Sequence, residues 1–145
     1  MSNPEFHEPG EYLDDITDDF TDVTIPSPSD GPRVWLPPVD LTQTSKTYVM
    51  EADLPGMTTR DIEVRVANDK IMLTGSKDET KKSSDGEFMR KERYSRTFRR
   101  TFRLPADVDQ KKIDAELEGG VLTVKMPRAK DPEKVEERSV RIKAG

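Results

Sequence analysis

Two runs of alternating apolar and polar residues meet at a pair of glycines late in the chain, and they restrict its fold more than any other feature. Within each run the apolar residues share one parity: Ile113, Ala115 and Leu117 before the glycines, and Leu122, Val124 and Met126 after them. Pro127 ends the second run because proline has no amide hydrogen for a strand ladder. Period-two alternation around Gly119 and Gly120 predicts two strands joined by a hairpin or a sheet corner.

The same period recurs upstream in short blocks that turn residues separate. The strand-like blocks are residues 48–54, 62–66, 71–73 and 97–104. Pro55-Gly56 closes the first block, Asn68-Asp69 forms a turn between the next two, and Pro105 closes the last. Residues 77–86 are polar and rich in Lys, Asp and Ser, so we expect a loop there, followed by a short strand at 88–94. This spacing predicts an all-β, immunoglobulin-like antiparallel β-sandwich.

Charge divides the chain unevenly. Residues 1–30 contain nine acidic residues and no Lys or Arg, whereas the rest of the chain carries 20 acids against 24 bases. We therefore expect an acidic N-terminal arm over residues 1–33, a sandwich domain over 34–128 and a charged C-terminal tail over 129–145. Within the arm, apolar residues at helical spacing allow a short amphipathic helix, and a disordered, flexible tail is the equal alternative.

Composition excludes several classes of function. The chain has no cysteine, which fits a reducing cytoplasmic location, and its apolar runs are far too short for a membrane span. We expect no secretory signal, because residues 1–5 include no basic residue and no apolar run follows them. Its single histidine, His7, lies in the arm, so a Ser-His-Asp triad is unsupported. The aspartates of residues 14–22 do not match a calcium-binding loop, and no phosphate-binding glycine loop occurs. We expect a protein that is not an enzyme and has no cofactor or bound metal.

Five motifs in order resemble those of the small heat-shock protein family and its α-crystallin domain, in the non-animal type. They are WLPPVDL at residues 35–41, EADLPGM at 51–57, FRRTFRLP at 98–105, AELEGGVL at 115–122 and VRI at 140–142. The resemblance implies a β-sandwich that forms a dimer and then a larger homo-oligomer. It also implies an ATP-independent chaperone that binds unfolding client proteins, prevents their aggregation and leaves refolding to ATP-driven chaperones.

The resemblance assigns roles to particular residues. Val140 and Ile142 form the C-terminal V-x-I anchor, and alternation around Arg141 points both side chains the same way, as an added strand requires. The groove that receives the anchor on a neighbouring subunit is assigned to Ile62, Val64, Val66, Ile113, Ala115 and Leu117. The dimerisation loop falls at residues 77–96, and the dimer-interface residues are Phe88, Glu92, Arg93 and Arg100.

Arg100 is also singled out by its position in the strand. It shares the parity of Phe98 and Phe102, so we expect an inward-facing or interface arginine that carboxylates hold. A holdase needs apolar surface that is covered at rest, and the arm supplies candidates for client binding. These candidates are Phe6, Tyr12, Leu13, Ile16, Phe20 and Val23.

Three other functions were weighed against a chaperone. Basic and aromatic residues interleave over residues 88–102, a pattern of single-stranded nucleic-acid binders. Parity, however, turns Phe98 and Phe102 inward, and the net charge of −5 disfavours phosphate, so we expect no nucleic-acid partner. A co-chaperone of the same fold is the alternative, although the anchor and the dimer loop argue against it. The lone Trp35 argues against a sugar-binding sandwich.

Overall fold

A computed structural model describes residues 20–24, 35–85 and 88–145, and it describes residues 79–85 and 88–95 by their backbone alone. The described residues form nine strands and one turn of 3-10 helix, Gln110–Lys112. The strands are β1 (Val39–Gln43), β2 (Thr47–Asp53), β3 (Ile62–Ala67), β4 (Lys70–Asp85), β5 (Phe88–Arg103), β6 (Asp114–Glu118), β7 (Val121–Pro127), β8 (Glu137–Val140) and β9 (Ile142–Ala144).

The strands form two sheets, which confirms the all-β sandwich. The five-stranded sheet has the order β1-β2-β7-β6-β9, and the four-stranded sheet has the order β5-β4-β3-β8. Neighbouring strands are antiparallel except β6 and β9, which pair in parallel. The two sheets are thus antiparallel apart from this short pair at the edge of the five-stranded sheet.

Two tight turns set the hairpins that the alternation predicted. Asn68 and Asp69 have φ angles of 53° and 60° between β3 and β4, and Gly119 and Gly120 have φ angles of 58° and 78° between β6 and β7. Two successive positive φ angles match the right-handed twist of the flanking strands, and Gly, Asn and Asp tolerate them best. The predicted hairpins at residues 68–69 and 119–120 are therefore confirmed.

The core lies between the two sheets and is built from the inward parity of each strand. Fully buried members are Met50, Leu54, Val64, Ile71, Leu73, Phe98, Ile113, Leu122, Val124 and Met126. Gly75 pairs with Phe98 across β4 and β5, and a Cβ added at Gly75 would overlap the Phe98 ring. The glycine thus makes room for an aromatic side chain that faces the core.

The expectation of a loop at residues 77–86 followed by a short strand is wrong. β4 continues to Asp85 and β5 runs unbroken from Phe88 to Arg103, and the two strands pair from Lys70↔Arg103 to Asp85↔Phe88. Polar composition indicated a loop, but backbone hydrogen bonds between paired strands do not depend on side-chain burial. A two-stranded ribbon can therefore extend beyond the core with polar residues on both faces.

Candidate functional site

The V-x-I segment lies along one edge of the sandwich, where β8 pairs with β3 in one sheet and β9 pairs with β6 in the other. Val140 of β8 is opposite Val64 of β3, and Ile142 of β9 is opposite Ala115 of β6. Val140 is buried, Ile142 is half-buried and Arg141 between them is exposed. In this single chain the segment thus adds one short strand to each sheet of its own domain. Docking on a neighbouring subunit stays a prediction.

The residues assigned to the groove lie on or next to β3 and β6, at this edge of the sandwich. All six of them are buried: Ile62, Val64, Val66, Ile113, Ala115 and Leu117. Val64 and Val66 are opposite Val140 and Arg138 in the β3–β8 register, and Ala115 and Leu117 are opposite Ile142 and Ala144. Ile62 and Ile113 lie beyond the paired positions and belong to the shared core. Removal of β8 and β9 would leave two unpaired strand edges above an apolar interior.

A buried glutamine ties the tail to the body, which the sequence reasoning missed. The Nε2 atom of Gln110 donates to Asp69 Oδ1 at 2.8 Å, and its Oε1 atom accepts from Val135 N at 3.1 Å. Its main-chain N donates to Glu133 O at 2.8 Å, and its carbonyl accepts from Arg138 Nη1 at 2.9 Å. Gln110 is fully buried. Hydrogen bonds at Glu133, Val135 and Arg138 therefore hold the tail against the domain, although most tail residues are exposed.

Arg100 has the inward parity that was expected of it, and a carboxylate holds it. Its Nη2 atom lies 2.7 Å from Asp22 Oδ2, and its Nη1 atom donates to Pro37 O at 2.8 Å. Only 16% of the side chain is exposed, and the guanidinium lies 5.2 Å from the centroid of the Phe102 ring. Burial raises the pKa of Asp22, but hydrogen bonds from Thr24 and Arg100 outweigh it and hold that pKa below its usual value. Arg100 as a dimer-interface residue stays a prediction.

Residues 20–24 pack on the domain instead of standing apart from it. Asp22 forms a bridge with Phe102 of β5, and Val23 N donates to Thr101 O at 2.8 Å. Phe20 is 1% exposed and meets the ring of Tyr48 edge-on at 5.1 Å. Of the arm residues assigned to client binding, Phe20 and Val23 thus lie against the sandwich. Phe6, Tyr12, Leu13 and Ile16 lie outside the described residues.

Three of the four dimer-interface assignments fall where the structure describes the backbone alone. Phe88, Glu92 and Arg93 lie in β5, and their side chains are outside the described part of the structure. Gly86 and Glu87 are outside it altogether. The register places Glu92 and Arg93 opposite Lys81 and Thr80 of β4.

Phe98 and Phe102 of β5 do not form a stacking platform for bases. Phe98 and Phe102 are 1% and 3% exposed, as parity predicted. Phe98 meets the Trp35 ring edge-on at 5.7 Å, and the Arg96 guanidinium lies over the Trp35 ring, 5.2 Å from its centroid. The aromatic groups therefore consolidate the start of the domain.

Among residues 20–24, 35–85 and 88–145, no group of three His, Cys, Asp or Glu side chains is placed to hold a metal ion. Within those same ranges, no helix has the length and apolar character needed to cross a membrane.

Comparisons with known proteins agree with this geometry. The model of the Hsp20/alpha crystallin family matches residues 40–143. Small heat shock protein C2 of Rickettsia felis is 31% identical over 81% of this chain and 77% of its own length. The 18.1 kDa class I heat shock protein of Pisum sativum is 34% identical over 79% of this chain and 73% of its own length.

Solved structures show the same fold. A small heat-shock protein from Xylella fastidiosa, described as having a distinct high order structure, superposes with a TM-score of 0.52 at 34% identity. That match covers 70% of this chain and 94% of the other. Heat shock protein 16.0 from Schizosaccharomyces pombe gives a TM-score of 0.58 at 25% identity, over 78% of this chain and 84% of the other.

Proposed function

This chain belongs to the Hsp20/alpha crystallin family of small heat shock proteins, which are chaperones and not enzymes, and we propose that it is an ATP-independent holdase for unfolding proteins. In this proposal it binds clients as they unfold, prevents their aggregation and leaves them to ATP-driven chaperones for refolding.

The observation that carries the proposal is the groove between β3 and β6, which the short strands β8 and β9 cover. β9 has only three residues and Ile142 is half-buried, so the segment that covers the groove is small. Burial of one aliphatic side chain stabilises by about 1.5–3 kcal/mol, which permits repeated release. An open groove presents unpaired backbone groups and apolar side chains, and these are the features that an unfolding chain can pair with.

Assembly is the second part of the proposal. The chain is proposed to form a dimer through the long β4–β5 ribbon, with Phe88, Glu92, Arg93 and Arg100 at the interface. Dimers are proposed to join into a larger homo-oligomer when Val140 and Ile142 of one subunit occupy the groove of another. Many weak anchors acting together give a stable particle whose individual contacts still open. The division into arm (1–33), domain (34–128) and tail (129–145), and a cytoplasmic location, complete the proposal.

An aggregation assay with a heated, unrelated client protein tests the holdase function. The full chain, added without ATP at a ratio of one subunit per client, is expected to suppress the rise in light scattering. Bovine serum albumin at equal mass is the control for crowding. Client that scatters equally with this chain and with albumin contradicts the proposal.

A further inference from the structure

Residues 20–24 extend the four-stranded sheet at the outer edge of β5. Val23 N donates to Thr101 O, and Arg103 N donates to Thr21 O, both at 2.8 Å. Thr101 N donates to the Thr24 hydroxyl at 3.0 Å. β5 is the terminal strand of its sheet, so without this segment these backbone groups lack a strand partner. Two of these three bonds join main-chain groups, so the edge pairs with an extended peptide largely through bonds that do not depend on side chains.

Two side chains of the segment make contacts that depend on sequence. Phe20 is buried and meets Tyr48 edge-on, with the ring planes at 80°. Asp22, two positions later, pairs with Arg100 at 2.7 Å. The β5 edge thus accommodates an aromatic residue and, two positions on, a carboxylate.

Asp22 satisfies only part of the hydrogen-bonding capacity of the Arg100 guanidinium. Its Oδ1 atom accepts from Thr24 N at 2.9 Å, so only Oδ2 contacts the guanidinium. The Nε atom of Arg100 is buried and has no hydrogen-bond partner among the described residues. A carboxylate that presents both oxygens to a guanidinium forms two parallel charge-assisted hydrogen bonds. Residues 20–24 are therefore a ligand that a better-fitting segment can displace.

We propose that the β5 edge is a second client site, which binds extended segments of unfolding proteins that carry an aromatic residue followed two positions later by a carboxylate. Residues 20–24 are its tethered competitor. This inference rests on the proposed holdase function and adds a site separate from the groove between β3 and β6. Because the competitor is covalently joined to the domain, it acts at a high effective concentration, so a free peptide binds well only when the segment's own contacts are weakened.

Peptide binding to the full chain tests the site. The probe is a fluorescein-labelled peptide with the sequence of residues 18–24, titrated into wild type, Phe20→Ala and Asp22→Asn chains while anisotropy is followed. Loss of a buried phenylalanine weakens the tethered competitor by about tenfold to a hundredfold, so the Phe20→Ala chain should bind the probe more tightly by a similar factor. Asp22→Asn should give a smaller gain in the same direction, and it leaves the core phenylalanine in place.

Hydrogen exchange of a peptic fragment spanning residues 98–104 locates the binding. Both variants should exchange faster than wild type there, and saturating probe should restore protection. Two control probes should neither bind nor restore protection. One carries Phe20→Ala, and the other is a scrambled peptide of equal composition with no carboxylate two positions after Phe. In an Arg100→Ala chain, probes carrying Asp22 and Asp22→Asn should bind equally, whereas the Arg99→Ala chain should keep the preference, because Arg99 is exposed on the other face of β5.

Equal binding of the probe and its Phe20→Ala form, or no gain in either arm variant, overturns the site. Neither result bears on the holdase function, which the aggregation assay with wild-type chain measures separately. A chain that suppresses aggregation and fails the peptide test retains the proposed function and loses this site.

Discussion

The hydroxyl of Tyr48 donates a 2.8 Å hydrogen bond to Oδ1 of Asp107, which joins the start of β2 to the loop that follows β5. The other carboxylate oxygen accepts from Arg128 Nε at 2.8 Å, and the Arg128 guanidinium lies 4.9 Å from the Tyr48 ring centroid. The same tyrosine ring meets Phe20 of the arm. Tyr48 therefore contacts both the Asp107–Arg128 pair and Phe20 of the segment on the β5 edge.

Stability should fall in acid partly through Asp107. Burial raises the pKa of Asp107, but the hydrogen bonds from Arg128 and Tyr48 and the charge of Arg128 outweigh it and lower that pKa below its ordinary value of 3.8. A carboxyl with a lowered folded pKa stabilises above the unfolded pKa, and this contribution is lost as pH falls through the folded pKa. The loss is therefore expected below about pH 4.

The Asp107→Asn variant should be less stable than wild type at pH 7 and should show a shallower loss of stability below pH 4. Denaturant unfolding at fixed subunit concentration, repeated from pH 7 to pH 2.5, measures both effects. Asp22 and Asp61 also have lowered pKa values, so the slope should decrease without vanishing. The exposed Asp53→Asn change is the charge control. Parallel pH curves for wild type and Asp107→Asn would contradict the assignment.

Gly75→Ala should destabilise the domain, because the added Cβ overlaps the Phe98 ring and Phe98 is fully buried. Overpacking of this kind costs about 1–3 kcal/mol. Ser76→Ala, at the exposed neighbouring position, should change the free energy of unfolding by less than about 0.5 kcal/mol. The double variant Gly75→Ala/Phe98→Leu should recover part of the loss, and strict additivity of the two changes would show that the contact is not the cause.

Gln110→Leu should release the tail from the body. The change removes the acceptor for Val135 N and the donor to Asp69, and an unpaired buried donor costs about 1–3 kcal/mol. Hydrogen exchange over residues 133–140 should accelerate. The matched control is Lys111→Gln, which removes an exposed 3.0 Å ion pair to Glu133 and should cost less than about 1 kcal/mol. Equal hydrogen exchange in the two variants would show that Gln110 does not hold the tail.

Val140→Ala with Ile142→Ala should reduce the mass of the particle measured by multi-angle light scattering. Val140 is buried opposite Val64 and Ile142 packs on the core, so truncation weakens an anchor that each subunit repeats. Arg141→Ala changes the exposed residue between them and should leave the mass as in wild type. An unchanged mass in the double variant would remove the anchor role.

The local sequence pattern predicted the buried face correctly wherever burial alternates along a short strand. Parity along residues 98–104 placed Phe98 and Phe102 in the core, and the turn residues at 68–69 and 119–120 placed two hairpins, because only one face of each strand can be buried. The sequence pattern did not predict the long ribbon of β4 and β5. Its outer half is paired through backbone groups, which carry no hydrophobic pattern.

The sequence pattern also did not predict the partners of the polar side chains, because those partners are distant in sequence. Asp22 meets Arg100, Tyr48 meets Asp107, and Gln110 binds both Asp69 and the tail. By itself, then, the sequence determined the strand faces, the tight turns and the family to which the chain belongs. Only the tertiary structure decided which strand edge residues 20–24 cover and where the tail is held, since backbone pairing and buried hydrogen bonds depend on which segments meet in space.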